Sequence, residues 1–160
     1  MKDLSLHFPR VPRALAAGMH GYHRNPSRGF QYTERRWGDL VAKIRLYLPK
    51  KVFKKLPGTV MIVPISKKIS QKINLSYRKK NKPANVLSFR YGQDYGEILV
   101  CPEVVRHEAK KQGNSMKYQF AWMVLHGILH LAGMHHEKSS AVARKVDRIE
   151  GVVLRKLTVK

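Results

Sequence analysis

Acidic residues are scarce in this chain, and their scarcity gives it an unusual charge. The 160 residues include 32 lysines and arginines but only 10 aspartates and glutamates, for a formal net charge of +22 at pH 7. So large a positive field attracts polyanions, of which nucleic acid is the most common. The basic residues also cluster, as in the KKVFKK run at 50–55 and the RKKNK run at 78–82. A nucleic-acid partner is favoured over an acidic membrane, because no basic run borders an amphipathic helix with exposed aromatic residues.

Cysteine and long apolar runs are also nearly missing. The lone Cys101 excludes a disulfide within the chain. Nothing at the N-terminus has the pattern of a secretory signal, so we expect a reducing, cytoplasmic location. The longest apolar run, at 120–134, is shorter than the ~20 residues that a membrane-spanning helix needs. We therefore expect a soluble protein with no membrane partner.

Sustained hydrophobic periodicity is missing from residues 1–32, which contain three prolines and a single acidic residue. We expect an irregular basic extension there, with one short strand near 4–8. An organelle-targeting segment is an alternative that the prolines and glycines disfavour. His20 and His23 have no third partner nearby and are expected to be surface loop residues. The whole chain is 43% hydrophobic, and we expect residues 33–160 to form a single domain with one core.

Periodicity and end signals predict the elements of that domain. Ser66 and Ser115 can accept hydrogen bonds from the first N–H groups of helices, and Pro102 suits a first helical position. Runs rich in β-branched residues predict strands. The predicted helices cover 33–48, 66–77, 102–113, 115–133 and 139–154, and the predicted strands cover 59–65, 85–91 and 97–101. This order predicts the α+β class, with a small mixed sheet covered by helices.

Four of the eight histidines lie in one short stretch, HGILHLAGMHH at 126–136. His126 and His130 are four residues apart, so on a helix they share one face about 6 Å apart along the axis. Gly133 tolerates left-handed backbone, which ends the helix and allows His136 to return toward the same face. One histidine on an apolar face is usually a core residue with one hydrogen bond, but three at these intervals predict a metal site.

Zinc is the first choice for this site. Imidazole suits zinc, and three nitrogen ligands leave a fourth tetrahedral position for water, as in catalytic sites. Nickel and copper are alternatives by ligand type. Metzincin proteases share the histidine intervals, with the pattern H-E-x-x-H-x-x-G-x-x-H, but their general base is replaced here by Gly127. Proteolysis is therefore disfavoured.

The same stretch resembles the signature of the YbeY-type endoribonucleases, H-G-x-L-H-L-x-G-x-D-H. Upstream, INLSYRKKNKPANVLSFR at 73–90 resembles that family's L-N-x-x-Y-R-x-K-x-x-P-T-D-V-L-S-F-P, and GEILVCPEVV at 96–105 resembles its next strand and helix start. The resemblance covers about residues 35–155. It implies a single-strand-specific, zinc-dependent endoribonuclease of ribosomal RNA maturation and ribosome quality control, with the metal in a cleft between the ligand helix and the sheet.

The resemblance also implies functional residues. It implies His126, His130 and His136 as ligands of one zinc ion and Arg78 as the functional arginine. The chain departs from the family pattern at four positions: Ala84, Asn85, Arg90 and His135. Two carboxylates are lost at Asn85 and His135, which raises the positive charge and could remove an acceptor that orients a ligand imidazole. The choice between His135 and His136 as third ligand stays open from spacing, and register with the family favours His136.

These residues suggest how RNA would be bound and cleaved. Zinc lowers the pKa of bound water to about 7, and Arg78 would bind the scissile phosphate. Lys79, Lys80 and Lys82 would contact phosphates without reading sequence, and Tyr91 would stack on an unpaired base. We expect single-stranded or ribosomal RNA as the partner, with the ribosome or its proteins as further partners.

Two other functions fit the sequence less well. One is a non-catalytic RNA-binding ribosome assembly factor, in which a structural metal is closed by a fourth protein ligand such as His107 or Glu137. The other is hydrolysis of a different phosphoester or amide.

Overall fold

Helices and a small sheet build the part of the chain that the computed structural model describes, residues 34–158. Its elements are α1 (Glu34–Tyr47), α2 (Lys50–Phe53), β1 (Thr59–Pro64), α3 (Lys67–Arg78), β2 (Val86–Arg90), β3 (Tyr95–Val100), α4 (Pro102–Gln112), α5 (Met116–Leu131), a 3-10 helix (His136–Lys138) and α6 (Ser140–Thr158). The predicted strand near 4–8, His20 and His23 lie outside the described residues.

Capping residues mark the ends of several helices. The Ser66 and Ser115 hydroxyls accept from the N–H groups of Ile69 and Tyr118, at 3.3 and 3.1 Å, and so cap α3 and α5. Pro102 starts α4, and Gly113 ends it in the left-handed region with φ of 69°.

The sheet has three strands in the order β1-β3-β2. β1 pairs with β3 in parallel, and β2 pairs with β3 in antiparallel register with Val86 opposite Val100. The helix between β1 and β2 places the two strands on opposite sides of β3. The fold is α+β, with a small mixed sheet covered by helices.

Helix α5, which carries His126 and His130, packs on the sheet and forms the centre of the core. Its residues Val124, Leu125, Ile128 and Leu129 are fully buried. Its contact with β3 is close, since a β-carbon on Gly127 would lie 2.8 Å from Ile98 Cγ2. The glycine therefore allows helix and strand to approach, and it leaves no space for the glutamate of a metzincin at this position.

Short helix α2 was not predicted, because the KKVFKK run was interpreted only as a basic cluster. Pro49 ends α1 with φ of −56°, a value compatible with starting a new turn, and Val52 is buried while the lysines around it are exposed. Burial of one apolar side chain explains a helical turn in an otherwise charged run. Among the described residues, no helix is both long and apolar enough to cross a lipid bilayer.

Candidate metal centre

Three histidine side chains converge at the end of α5. His126 and His130 lie on one helical face, and their Nε2 atoms are 3.1 Å apart. Gly133, with φ of 81°, reverses the chain after the helix, and His136 returns as the first residue of the 3-10 helix. One ring nitrogen from each of the three lies within 4.8 Å of the others.

The donor set fits a transition metal of the zinc type. Two nitrogens bound to one tetrahedral zinc at 2.0–2.1 Å would be about 3.3 Å apart, close to the separation of the His126 and His130 Nε2 atoms. Three neutral imidazoles are a known set for zinc sites that keep one position for solvent. These three residues could therefore hold one ion.

Burial keeps one of these imidazoles neutral. Desolvation, followed by the nearby His126, His135, His136 and Arg78, lowers the pKa of His130 from 6.5 to about 3. A neutral imidazole offers a lone pair to a metal throughout the neutral pH range.

His126 is held by a carboxylate of another helix. Its Nδ1 lies 2.7 Å from Oε1 of Glu150 on α6, and the other Glu150 oxygen accepts from the Trp122 indole N–H at 2.8 Å. A carboxylate only accepts, so the Nδ1 atom of His126 is the donor in this contact. Glu150 is thus an acceptor for one of the clustered imidazoles, although the chain lacks the two carboxylates of the family pattern at Asn85 and His135.

His135 lies beside the cluster, but the nitrogens that converge belong to His126, His130 and His136. The His135 ring is 5.2 Å from the His130 ring, centroid to centroid, and burial lowers the His135 pKa. The Asn85 amide donates to both oxygens of Glu108 on α4, at 3.2 and 2.9 Å. A carboxylate therefore stands beside the position where the family has Asp, but it comes from Glu108.

A cleft of about 320 Å³ opens beside the histidines. Its lining comes from the residue before β2, from α5, from the 3-10 helix and from α6, and includes Asn85, Trp122, His126, His136 and Glu150. The cleft thus runs along the ligand helix, with the entry to β2 on one side and α6 on the other.

Arg78, the last residue of α3, lies next to this cluster. Its guanidinium donates to the Glu137 carboxylate at 2.8 Å, and both side chains are largely exposed, at 40% and 59%. Glu137 follows His136 directly, so the ion pair holds Arg78 beside the third histidine. Exposed pairs of this kind contribute little to stability, at about 0–1 kcal/mol, and a phosphate can compete for the guanidinium.

The basic loop, defined as Lys79, Lys80 and Lys82, follows Arg78. Its lysines are exposed, but its backbone is tied to α3, since the Asn74 amide donates to the Lys82 carbonyl at 2.7 Å. The Lys79 ammonium also donates to the Ser76 carbonyl at 3.1 Å. The basic loop thus presents exposed positive charge on a fixed backbone, an arrangement suited to phosphate contacts.

Tyr91 lies where β2 ends, in the hairpin to β3. Its hydroxyl donates to Glu97 at 3.2 Å, the Tyr95 hydroxyl donates to the same carboxylate at 2.8 Å, and the two rings are 5.8 Å apart. Burial, with the Glu97 charge as the next cause, raises the pKa of Tyr91. The ring is half-buried, and the bond to Glu97 holds its hydroxyl in place.

The chain also matches the model of a known protein family. The family model described as Endoribonuclease YbeY matches residues 24–158. The chain belongs to the YbeY family. The match begins upstream of residue 35, so the YbeY resemblance extends further toward the N-terminus than the sequence motifs indicated.

Two curated relatives have the same YbeY name. Endoribonuclease YbeY of Bdellovibrio bacteriovorus is 38% identical over 105 residues, covering 62% of this chain and 70% of the relative. Endoribonuclease YbeY of Pseudoalteromonas translucida is 43% identical over 97 residues, covering 56% of this chain and 63% of the relative. The second alignment thus spans less than two thirds of that relative.

A solved structure has a similar fold. The solution structure of a Thermotoga maritima protein aligns with a TM-score of 0.51 and 27% identity, covering 75% of this chain and 85% of the other. This similarity agrees with the α+β architecture of the YbeY-family chain described here.

Sequence reasoning missed several residues around the site. Glu150 and Trp122 bond each other, Glu108 bonds Asn85, and the Arg90 guanidinium donates to the Leu131 carbonyl at the end of α5, at 2.7 Å. One signal was available: Glu150 stands on the apolar stripe of α6, where a charged residue is unexpected. The other contacts join distant parts of the chain and leave no local pattern.

Proposed function

We propose that this chain is a zinc-dependent, single-strand-specific endoribonuclease that acts in ribosomal RNA maturation and ribosome quality control in the cytoplasm. The observation that carries the proposal is the convergence of three histidine nitrogens beside an exposed arginine and a basic loop. Family membership supports the endoribonuclease activity, because relatives are named for it.

In this proposal His126, His130 and His136 hold one zinc ion. Zinc, when bound, supplies a Lewis acid that activates water and accepts charge from a phosphoryl oxygen. Nickel and copper are the alternatives that the same nitrogen donors would accept. The lowered pKa of His130 supports the ligand role, since a neutral imidazole can bind a metal.

Arg78 is the residue we propose as catalytic. Its planar guanidinium would donate two N–H bonds to the scissile phosphate and stabilise the negative charge that grows as water adds and the P–O bond breaks. Phosphate would replace Glu137 as the acceptor, an exchange that costs little because both side chains are exposed. Binding of RNA would therefore release Glu137 from Arg78.

The basic loop and Tyr91 would extend the contact along the strand. Lys79, Lys80 and Lys82 would hold neighbouring phosphates, and Tyr91 would stack on an unpaired base, which favours single-stranded RNA. We assign the activity to one hydrolase domain, residues 33–160. We assign residues 1–32 to a basic extension that contacts ribosomal or RNA backbone, with the charge as the only support.

A fourth protein ligand would have favoured a structural metal and a non-catalytic assembly factor instead. Among residues 34–158 the metal-binding cluster consists of three histidines. Glu137 bonds Arg78, and His107 lies on an exposed face of α4. These positions support an enzyme with one site left for solvent.

The test compares His126→Ala with the matched control His107→Ala in nuclease-free preparations. We expect single-stranded RNA cleavage by wild type and by H107A but not by H126A, and no cleavage by any of the three proteins in the presence of a chelator. Elemental analysis of wild type identifies the ion. Equal cleavage by wild type and H126A would contradict the proposed endoribonuclease activity. If wild type instead binds RNA and metal but does not cleave, the result would support the non-catalytic assembly factor.

A further inference from the structure

Glu150 is a buried acid on an otherwise apolar helix face. It is 6% exposed and lies on α6 among Val146, Ile149 and Val153, which are buried as well. A carboxylate in such surroundings is costly unless strong donors satisfy it. Here both oxygens are satisfied, one by His126 Nδ1 at 2.7 Å and the other by Trp122 Nε1 at 2.8 Å.

The two donors come from one face of α5. Trp122 and His126 are four residues apart, so their side chains lie on consecutive turns, and the carboxylate of Glu150 bridges them from α6. Bonds to both oxygens prevent rotation of the carboxylate about its axis. The His126 ring is therefore held in one orientation, with Nε2 directed toward His130 Nε2.

We propose that Glu150 is the positioning residue of the metal centre, and that Trp122 holds Glu150 in place. The carboxylate keeps the proton of His126 on Nδ1, so that Nε2 is available to the ion before the ion arrives. This inference rests on the metal site of the proposed function, and it adds how this chain prepares that site.

Glu150→Gln gives the sharpest perturbation, because it keeps the shape of the side chain and changes one acceptor oxygen into an NH₂ donor. If the amide oxygen stays with Trp122, the NH₂ group faces His126 Nδ1. Nδ1 must then accept, and the proton moves to Nε2, the atom the metal needs. The variant thus disfavours the metal-binding tautomer without removing any ligand.

The control is Trp122→Phe, which removes the indole donor but leaves the Glu150 to His126 bond. Zinc affinity is measured by competition with a chelator, and Co²⁺ absorption reports the ligand geometry. Loss of a carboxylate that orients a ligand histidine typically weakens metal binding by about 10- to 100-fold. We expect a loss in that range with an altered Co²⁺ spectrum for E150Q, and a smaller loss for W122F.

The outcomes separate this inference from the proposed function. If wild type binds one zinc and E150Q matches it in affinity and Co²⁺ spectrum, the positioning role is wrong and the metal site stands. If wild type binds no zinc, the proposed function fails and this inference fails with it. If E150Q does not fold, nuclear magnetic resonance of zinc-loaded wild type tests the proposal instead. We expect a proton on Nδ1 of His126 in that spectrum. Zinc bound through Nδ1 would overturn the proposal.

Discussion

Substitution of Gly127 by alanine tests how tightly the ligand helix α5 packs against the sheet. A β-carbon at this position would lie 2.8 Å from Ile98 Cγ2 and 3.3 Å from its Cγ1. Ile98 is fully buried in the central strand, and its β-branched side chain has few alternative rotamers. Gly127→Ala therefore forces either α5 or β3 to move.

The expected cost follows from two opposing effects. Alanine improves helix propensity over glycine by about 0.8–1.0 kcal/mol, and overpacking a core typically costs about 1–3 kcal/mol. Gly151 in α6 provides the matched control, because among the described residues nothing beyond its own helix backbone and chain neighbours lies within 4 Å of its added β-carbon. We expect Gly151→Ala to stabilise the fold by up to about 1 kcal/mol and G127A to be less stable than G151A by about 1–3 kcal/mol.

Urea unfolding with a chelator present measures both variants without a contribution from metal binding. The propensity gain is common to the two, so their difference in unfolding free energy isolates the contact with Ile98. Equal stability of G127A and G151A would refute the reasoning, because it would mean that helix and strand separate without cost.

Two further predictions concern the charged pairs around the site. Glu137→Gln removes the anion that competes with phosphate for Arg78. We therefore expect tighter binding of single-stranded RNA in fluorescence anisotropy, by up to about fivefold if the pair is worth about 1 kcal/mol; unchanged affinity would mean that Glu137 does not compete with the RNA for Arg78. Asn85→Asp places a second carboxylate against Glu108, which Asn85 contacts at 2.9 Å. Like charges destabilise the fold where both groups are ionised, so thermal unfolding should show a deficit at pH 7 that shrinks as the pH is lowered and one carboxyl of the pair binds a proton. A deficit independent of pH would contradict this account.

Much of the fold follows from signals within a few residues of each other. The caps at Ser66 and Ser115 and the left-handed Gly113 act on adjacent backbone, so their effects are readable in sequence. The strands also follow from local composition. The short α2 was missed, because one buried valine decides it and burial is a property of the folded chain.

The histidine cluster was also predictable, for a geometric reason. His126 and His130 share a face through helical periodicity alone, and the reversal at Gly133 depends on a single backbone angle. Register with the YbeY family selected His136, which the structure brings into the cluster.

The sequence by itself thus determined the longer helices, the strands, the excess of positive charge and the three clustered histidines, because each depends on neighbouring residues or on composition. Only the tertiary structure decided the partners of the site residues. Glu150 meets His126 across 24 positions, Glu108 meets Asn85 across 23, and Glu137 meets Arg78 across 59. Such pairs form when helices pack on the sheet, and packing depends on the whole core, so no spacing within the chain reveals them.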